Sequence, residues 1–511
     1  MSDTIYTTIT FAPVQGFIEK SRKLRDLYGS SFILSYLSRT LCEAAKKQGL
    51  DVISPAIINV VRGTPNQIII QGNFEESQAL AVFHKAWETL TWTCRQWIER
   101  KIPGEYCWGQ EWEIWTKHAW EFFWANGQTI SDARRKLNKI KAKRSWTGIN
   151  WQGESSTLSG ADAIAYPNMG KHANPKNYNY AQEKAQIDQF YTQLRQLKPL
   201  GEAFIDKSEQ LSIPELIKRL ITYDVIASQI NLQPNELPSV EIPQTFRDLN
   251  RFSEKRWTGW FQGDGDSIGE HLRDLAKTTN EADTLKEFSN AMLHWGEHYL
   301  VRSVKDNSGK VIYAGGDDFL GVFFREKEEL KPQKCLNWFY EFPKLWSKHD
   351  RKLTVSVGFV WAGGGVPQRD VLQHCREAEK SAKNHGRDRL AMRILFNGGN
   401  YLEWVCPWWF LPEVLGGYGD RENGKNWTHI YNDVAVLQSR HAFDGNQSEV
   451  ALSLFTVYFG EELKEKLLKH LWNIDNQAGI LGKEETDTPN THSALNNWII
   501  NLAKVGFHLC Q

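Results

Sequence analysis

The sequence predicts an α+β protein in which two domains of the order β-α-β-β-α-β are separated by a helical region and followed by a helical bundle. Residues 251–398 alternate apolar strands with amphipathic helices in that order and add one more strand. Residues 1–130 carry a similar set of elements, and helical stretches dominate residues 399–511. The length of 511 residues suffices for three or four domains, and a hydrophobic content of 41% suffices for several cores.

Residues 1–130 are expected to form the first of these domains. Strands are predicted over residues 5–10, 52–61 and 67–71, and a helix is predicted over residues 75–98. Between the first two strands, an apolar stripe at helical spacing is formed by Val14, Phe17, Ile18, Leu24 and Tyr28. The basic residues outside that stripe are Lys20, Arg22, Lys23 and Arg25.

Residues 131–250 are predicted to be a helical and basic intervening region. The segment 134–144 contains seven cations and no acid, and Trp146 and Trp151 follow it. Such a strip is suited to RNA phosphates, with aromatic rings nearby for base stacking. The candidate contacts with RNA or a protein partner are Arg134, Arg135, Lys136 and Lys139. A solvated basic helix explains the same charges equally well.

Two pairs of acidic residues mark the ends of predicted strands in residues 251–398. Asp264 and Asp266 end an apolar run, and residues two apart in an extended segment face the same side. A helix is predicted over about residues 268–298, and a hairpin follows whose tip is Gly315-Gly316-Asp317-Asp318. A split β-α-β unit places such a hairpin beside the end of the first strand. The four acids are therefore expected to converge.

The acids and their neighbouring glycines suit a metal-dependent nucleotide site. Carboxylates are preferred ligands of Mg²⁺ or Mn²⁺, and the predicted metal ligands are Asp264, Asp266, Asp317 and Asp318. The predicted catalytic residues are Asp264, Asp317 and Asp318, and the predicted nucleotide contacts include Gly265, Ser267, Gly315 and Gly316. In isolation the tetrapeptide is also typical of an ordinary hairpin turn. The upstream acidic pair favours the metal site over that alternative.

A later helix supplies two candidate phosphate ligands. It follows a strand predicted over residues 353–360, and its apolar face carries Val371, Leu372, Cys375, Ala378 and Ala382. Lys380 and Lys383 are three residues apart on the other side, where they either hold a triphosphate or are merely solvated. A last strand over residues 389–395 completes a ferredoxin-like palm.

The remaining features bound the class of protein. Helices are predicted near residues 427–440, 447–459, 461–472 and 491–509, with a polar break over residues 483–490. The 61 basic and 61 acidic residues balance, so net charge predicts no partner. Neither a membrane-spanning run nor a leader is recognisable, which predicts a cytoplasmic protein without membrane contact. The seven scattered cysteines contain no Cys-x-x-Cys, so neither a disulfide framework nor a zinc site is expected.

Two distant groups of motifs resemble one protein family. The second palm, with Gly315-Gly316-Asp317-Asp318, the helix over residues 378–383 and the closing Gly386-Arg387-Asp388, resembles the large polymerase subunit of type III CRISPR effector complexes. The segments 11–18, 21–27 and 29–35 resemble the opening of the first palm in the III-B-like branch of that family. The resemblance covers most of the chain and is weakest from about residue 100 to residue 250.

The resemblance implies a nucleotide cyclase-like fold and a function in antiviral defence. Members of the family make cyclic oligoadenylates from ATP after their complex has bound target RNA, and they assemble with other effector subunits and a guide RNA. The expected mechanism uses two ATP molecules, one in each palm. The first palm carries no acid in its turn Gly63-Thr64-Pro65-Asn66, so it is expected to bind a nucleotide or to support the second palm without binding catalytic metal.

The chain departs from the family pattern at two places. The position of the zinc-binding cysteine knuckle holds residues 154–160, which offer hydroxyl groups instead of thiolates, so no structural zinc is expected. The chain opens directly on the first palm, and its one His-Asp dipeptide, His349-Asp350, lies elsewhere, so no HD nuclease activity is expected. Two other functions remain open: a stand-alone cyclase of the diguanylate type, whose hairpin usually ends in Glu-Phe, and a non-catalytic scaffold.

Overall fold

The computed structural model divides into two compact units. It describes residues 4–510 apart from 22, 61–62, 145–147, 149–150, 152, 172–173, 175, 177–178, 198–203, 231–255, 278–279, 326–327, 421–423, 445–446, 475–476 and 484–490. The first unit comprises Met1–Arg247, Gly269–Leu293 and Ile312–Gly316. The second comprises Asp248–Ile268, His294–Val311 and Asp317–Gln511. The predicted domain boundary at residue 250, the break over residues 484–490 and Trp146 lie outside the described residues.

The sheet of the first palm has the strand order of a ferredoxin-like domain. Its strands are β1 (Tyr6–Ala12), β2 (Asp51–Ser54), β3 (Ile68–Gln71) and β4 (Glu121–Gly127), in the order β2-β3-β1-β4. β1 is central and pairs antiparallel with both β3 and β4. The strand predicted over residues 52–61 is too long, because β2 ends at Ser54 and a bulge shifts its register against β3.

Eight α-helices surround this sheet or follow it in the described part of the first 230 residues. They are α1 (Gln15–Glu19), α2 (Leu24–Lys47), α3 (Glu76–Lys101), α4 (Gly109–His118), α5 (Ile130–Ala142), α6 (Tyr180–Gln196), α7 (Ile213–Leu220) and α8 (Asp224–Ala227). α7 begins with a capping box between Ser212 and Glu215 and has a proline in its first turn, both of which favour a helix start. One apolar cluster joins the sheet, α2, α3 and α7.

A buried ion network fastens α7 to α2. The guanidinium group of Arg219 donates to Asp26 Oδ1 at 2.7 Å and to Glu209 Oε2 at 2.6 Å, and Lys23 Nζ donates to Glu209 at 2.9 Å. Burial opposes ionisation of Glu209, but the adjacent Arg219 lowers the pKa of Glu209 to about 2. Lys23 and Arg25 lie outside the apolar stripe as expected, yet both are largely buried, because they serve this network and the neighbouring Thr222 and Tyr223.

Hydrogen bonds hold the segment 154–160, for which no structural zinc is predicted. Ser156 Oγ donates to Glu215 Oε1 at 3.1 Å, and the amide of Ser159 donates to the same oxygen at 3.1 Å. The amide of Ser156 also donates to the carbonyl of Asp162 at 2.8 Å. The buried carboxylate of Glu215 on α7 therefore accepts hydrogen bonds from both the Ser156 hydroxyl and the Ser159 amide.

The sheet of the second palm repeats the ferredoxin-like order and extends it. Its strands are β5 (Thr258–Gly265), β6 (Gly309–Ala314), β7 (Phe319–Phe323), β8 (Val355–Ala362), β9 (Arg389–Leu395) and β10 (Tyr401–Pro407), in the order β10-β9-β8-β5-β7-β6. β5 is central and pairs antiparallel with β7 and β8. Gly263 pairs with Phe319, and a Cβ atom at residue 263 would lie 2.2 Å from that ring, so glycine lets the ring cover β5.

Two predictions for this region need correction. The helix expected over residues 268–298 is divided into α9 (Ile268–Leu275) and α10 (Glu281–His294), and a π-helical turn (Trp295–Leu300) and α11 (Val301–Asp306) follow. Residues 401–407 lie in the predicted terminal bundle, but they form strand β10 because they pair antiparallel with β9 along its whole length. The strand predicted over residues 353–360 is β8, and the strand predicted over residues 389–395 is confirmed as β9.

The remaining helices agree well with the sequence pattern. They are α12 (Pro332–Trp346), α13 (Gln368–Asn384), α14 (Leu411–Gly416), α15 (Thr428–Ser439), α16 (Glu449–Phe459), α17 (Glu461–Lys469) and α18 (Thr491–Leu509). The apolar face predicted for α13 is buried at all five positions, against β8 and β9. None of the helices in the described part of the chain is long and apolar enough to cross a membrane.

Candidate functional site

The tip of the β6–β7 hairpin brings Asp317 to the end of β5. The amide of Gly265 donates to the carbonyl of Asp317 at 3.1 Å. A Cβ atom at residue 265 would lie 2.8 Å from Ile268 Cδ1 and 3.1 Å from Asp317 Cβ, so glycine is required for this approach. Gly316 has a φ of +118° and open space where a side chain would be. The predicted glycine turn is thus formed, with room beside its backbone.

Asp264 and Asp317 form a pair of adjacent carboxylates. Burial and the negative charge of Asp264 raise the pKa of Asp317 from 3.8 to about 7, and a side-chain hydrogen bond with Asp264 acts in the same direction. Two carboxylates so close repel each other when both are ionised. The pair therefore favours a bound proton or cation.

Lys383 supplies a positive charge to this pair. Its ammonium group contacts the carboxylate of Asp264 and lies 2.8 Å from Glu379 Oε1. Burial opposes the charged form, but hydrogen bonding and the charges of Asp264 and Glu379 raise the pKa of Lys383. Lys380 is exposed and makes no ion pair within the described part of the chain. The structure therefore brings Lys383, and not Lys380, to the acids.

Glu379 is a site residue that the sequence analysis did not single out. It is 7% exposed, and burial raises its pKa despite the neighbouring Lys383. Two signals point to it in retrospect. It lies four residues before Lys383 on the same helix, and it adjoins Ala378 on the buried face of α13.

Asp266 has a different environment from Asp264. It is 3% exposed, and its carboxylate accepts from Ser356 Oγ at 2.7 Å, Thr354 Oγ1 at 2.9 Å and the amide of Asp388 at 3.0 Å. Three donors occupy its oxygens, so these contacts favour an anchoring role for Asp266 over metal binding. Asp266 stays a predicted metal ligand, but its surroundings differ from those of Asp264 because it follows the end of β5 at Gly265.

The other predicted residues lie in the two turns of the site. Asp318 follows Asp317 at the hairpin tip and is half-buried. Ser267 adopts a left-handed φ of +56° in the turn between β5 and α9. Gly315 lies near the first palm's turn in the first unit, where a Cβ atom at residue 315 would be 3.9 Å from Pro65 N.

The residues of the pair fit a divalent cation by their chemistry. Asp264 and Asp317 offer adjacent hard oxygen donors whose mutual repulsion a cation would relieve. Over the described ranges, no group of three or more His, Cys, Asp or Glu side chains is arranged to hold a metal ion. The structure thus shows two adjacent donors, and the predicted set of four ligands stays a prediction.

The basic strip is less open than the sequence indicated. The helix α5 contains Arg134, Arg135, Lys136 and Lys139 and is capped by Thr129. Arg135 and Lys136 pair with Asp132 at 2.7 Å and 2.9 Å, and Arg134 is largely buried near Glu281, where burial lowers its pKa. Lys139 and Lys141 are exposed. The exposed cations of α5 are therefore Arg135, Lys136, Lys139 and Lys141, the first two of which also pair with Asp132.

The His349-Asp350 dipeptide is placed in a packed turn. The ring of His349 is 4% exposed, packs edge-on to Trp346 and accepts at Nδ1 from the amide of Arg351 at 3.0 Å. Burial lowers the pKa of His349 to about 4. This environment favours a structural, neutral imidazole.

The turn of the first palm is held by polar contacts rather than by acids. The amide of Thr64 donates to Ser35 Oγ at 2.8 Å. Asn66 Nδ2 donates to Thr10 Oγ1 at 3.2 Å. Gly63 has a φ of +104°, and a Cβ atom there would lie 3.2 Å from Tyr313 Cβ. The turn therefore packs closely on β6 within the first unit.

Fold and site define a protein with two palm domains, the second of which carries an acidic hairpin. Residues 258–391 match the second palm domain of Cas10/Cmr2, and residues 6–96 match the N-terminal domain of the CRISPR-associated protein Cmr2. Both matches are to domains of the same kind of CRISPR-associated protein, and they fall in the first and the second palm in that order. No curated protein matches the sequence.

Solved structures share the fold at low sequence identity. One is a type III-B Cmr-beta structure in the apo state, with 11% identity, a TM-score of 0.57 and coverage of 98% of this chain and 82% of that chain. The Csm1–Csm4 cassette in complex with cA4 has 14% identity, a TM-score of 0.51 and coverage of 99% and 70%. The Csm1–Csm4 subcomplex of the type III-A CRISPR-Csm interference complex has 13% identity, the same TM-score of 0.51 and the same coverage of 99% and 70%.

Proposed function

We propose that this chain is the large subunit of a type III CRISPR effector complex and that its second palm synthesises cyclic oligoadenylates from ATP. The observation that carries the proposal is the meeting of Asp264 and Asp317 at a Gly-Gly-Asp-Asp hairpin. The match of residues 258–391 to the second palm domain of Cas10/Cmr2 supports it. A protein of the same fold has been solved with cA4, which supports a cyclic oligoadenylate as the product.

In this proposal Asp264, Asp317 and Asp318 hold Mg²⁺ or Mn²⁺. A divalent cation there would lower the cost of ionising a ribose hydroxyl and would stabilise charge on the α-phosphate and the departing pyrophosphate. Asp264 and Asp317 contribute by being adjacent and partly desolvated, so that their preference for a cation is strong. Asp266 contributes by fixing the end of β5 to β8.

ATP binding is proposed to change the two ion pairs that Lys383 makes. Its ammonium group neutralises Asp264 and Glu379 in the structure described here. A triphosphate is a stronger acceptor than either carboxylate alone, so Lys383 is proposed to contact phosphate when ATP binds, while Glu379 keeps its ammonium group oriented. The backbone at Gly315, Gly316, Gly265 and Ser267 is proposed to line the nucleotide, and Lys380 is proposed as a more distant phosphate contact.

The proposal includes two ATP molecules, one in each palm, and activation by target RNA. Other type III effector subunits and a guide RNA are the proposed partners, since structures of the same fold come from Cmr and Csm complexes. The proposed domain limits are 1–130, 131–250, 251–398 and 399–511, and the proposed location is the cytoplasm. For activation, RNA must bind the active arrangement more tightly than the inactive one.

The test is to copurify the natural complex, sequence its bound RNA and analyse the products from each nucleoside triphosphate with and without complementary RNA. The expected result is cyclic oligoadenylate from ATP, in larger amount with target RNA. Cyclic dinucleotide from GTP would instead identify a cyclase of the diguanylate type. A complex that binds ATP and RNA but makes no product under any metal condition would identify a scaffold.

A further inference from the structure

The turn that follows α13 has an unusual backbone. Gly386, Arg387 and Asp388 have consecutive φ angles of +110°, +66° and +52°, all in the left-handed region. Non-glycine residues rarely adopt this conformation, and it persists where the surrounding structure determines it. Two such residues in succession therefore need contacts that hold them.

Those contacts come from the chain after α17. Asn473 Nδ2 donates to the carbonyl of Gly386 at 3.2 Å. Arg389, which is fully buried, donates to the carbonyls of Gly479 at 2.9 Å and Ile480 at 3.3 Å. The amide of Gly479 donates to Asn473 Oδ1 at 2.7 Å, which fixes the side chain of Asn473.

The same segment approaches the turn too closely for side chains. A Cβ atom at Gly482 would lie 1.8 Å from the carbonyl oxygen of His385, just before the turn. We use the name clasp for the four residues Asn473, Gly479, Ile480 and Gly482. The clasp contacts the turn through hydrogen bonds and close packing. It lies in the C-terminal part of the chain.

Held in this way, the turn contacts Asp266, which lies two residues after Asp264. The amide of Asp388 donates to Asp266 Oδ2 at 3.0 Å, and the same carboxylate binds Thr354 and Ser356 at the start of β8. Ser356 pairs in register with Asp264 across β5 and β8. Hydrogen bonds at both ends of the short segment 386–389 therefore connect Asn473 and the carbonyls of residues 479 and 480 to Asp266, two residues after Asp264.

We propose that Asn473 and Arg389 are positioning residues for the acid site, which hold the amide of Asp388 on Asp266 and thereby fix the position of Asp264. The acid site is thus completed by the clasp, a part of the chain far from the palm in sequence. The expected effect on oligoadenylate synthesis rests on the proposed function. The hydrogen bonds themselves can be measured without any assay of activity.

The test uses full-length protein with Asn473→Ala, which removes both side-chain bonds, and Asn497→Ala as a matched control. Asn497 is an exposed residue that lines the cavity beside the clasp together with Asn384 and His385 and makes no bond to the turn within the described residues. Two quantities are measured: hydrogen exchange at the amide of Asp388, and binding of Mn²⁺ alone. A third variant, Asn473→Asp, keeps the acceptor for Gly479 and loses the donor to Gly386.

Asn473→Ala is expected to speed exchange at Asp388 about tenfold or more and to weaken Mn²⁺ binding severalfold, with unchanged thermal unfolding of the rest of the chain. Asn473→Asp is expected to lie between the wild type and Asn473→Ala, and Asn497→Ala is expected to match the wild type. In synthesis assays, Asn473→Ala is expected to raise the Mg²⁺ concentration needed for half-maximal rate more than it lowers the rate at saturation.

Exchange and Mn²⁺ affinity in Asn473→Ala equal to those of Asn497→Ala would overturn the positioning role. If Asn473→Ala fails to fold, Asn473→Asp decides the matter by the same two measurements. Absence of oligoadenylate synthesis in the wild type would count against the proposed function alone, because exchange at Asp388 and Mn²⁺ binding still report on the clasp.

Discussion

The ammonium group of Lys383 lies against the carboxylate of Asp264, although the two residues are 119 positions apart in the chain. Asp264 ends the central strand of the second palm, and Lys383 lies in the last turn of α13. The contact places a fixed positive charge next to a pair of carboxylates that repel each other. One point of the second palm therefore holds both a positive charge and a pair of carboxylates.

Replacement of both hairpin acids, Asp317→Ala with Asp318→Ala, is expected to abolish oligoadenylate synthesis and to leave assembly intact. The change removes oxygen ligands, whereas a half-buried hairpin tip contributes little to the core. Product formation and the mass of the assembled complex are the measurements. The matched control is Glu461→Ala with Glu462→Ala, an exposed acidic pair at the start of α17. Undiminished synthesis in the hairpin variant would place the active site elsewhere.

Lys383→Met is expected to weaken ATP binding about tenfold to a hundredfold, because a charge-assisted contact with phosphate is lost. Lys380→Met is the control on the same helix, and its effect is expected to be small since Lys380 is exposed and unpaired within the described residues. Binding of a non-hydrolysable ATP analogue gives the affinities. Equal losses in the two variants would show that the lysines share the role that the sequence predicted for them.

The segment 154–160 is expected to depend on Glu215 and not on zinc. Glu215→Gln is expected to lower the free energy of unfolding by about 1–3 kcal/mol, because a buried charged acceptor of Ser156 and Ser159 is lost. Glu154→Gln, an exposed change in the same segment, is the control. Elemental analysis is expected to find no stoichiometric zinc, and a chelator is expected to leave the unfolding temperature unchanged. One zinc per chain would contradict this prediction.

His349→Gln is expected to make the protein less sensitive to acid. Burial lowers the pKa of His349 from 6.5 to about 4, so the unfolded chain binds the proton more tightly and stability is lost as pH falls from about 6.5 toward 4. The loss is on the order of 2–3 kcal/mol. The raised pKa values of Asp317 and Asp388 act in the opposite sense over part of this window.

The quantity to measure is therefore the difference in unfolding free energy between His349→Gln and the wild type at pH 7 and pH 5. The difference is expected to shift in favour of the variant at the lower pH. His441→Gln, a change at an exposed histidine, is the control. A difference that does not depend on pH would show that His349 does not titrate as its burial indicates. Neither variant is expected to alter DNA cleavage, since no nuclease activity is predicted for this dipeptide.

The exposed end of α5 is expected to contribute to RNA binding or assembly. A triple variant at Lys136, Lys139 and Lys141, each changed to Gln, is expected to weaken RNA-dependent activation and to lower the salt dependence of RNA binding, because fewer counterions are released. Equivalent changes at Lys85, Lys101 and Lys117, exposed lysines of α3 and α4, provide a charge-matched control. An unaltered response would leave the strip as a solvated helix. Arg134 is omitted because it is largely buried near Glu281.

The sequence by itself determined the architecture of both palms and the approach of the hairpin tip to Asp264. Period-two and helical patterns predicted the strands and helices because local periodicity reflects which face is buried. The Gly-Gly-Asp-Asp turn predicted a hairpin that brings Asp317 to the strand end near Asp264, since a split β-α-β unit leaves few alternatives. The exact ends of β2 and the division between α9 and α10 were missed, because a bulge and a break depend on neighbouring elements.

Tertiary structure alone decided how neighbouring residues divide their roles. Asp264 and Asp266 are two positions apart, yet one joins Asp317 and Lys383 while the other is enclosed by Thr354, Ser356 and the amide of Asp388. The same holds on α13, where Glu379 is buried and Lys380 is exposed. Sequence patterns report spacing along one element, whereas these roles depend on donors and charges that distant segments bring to a single point.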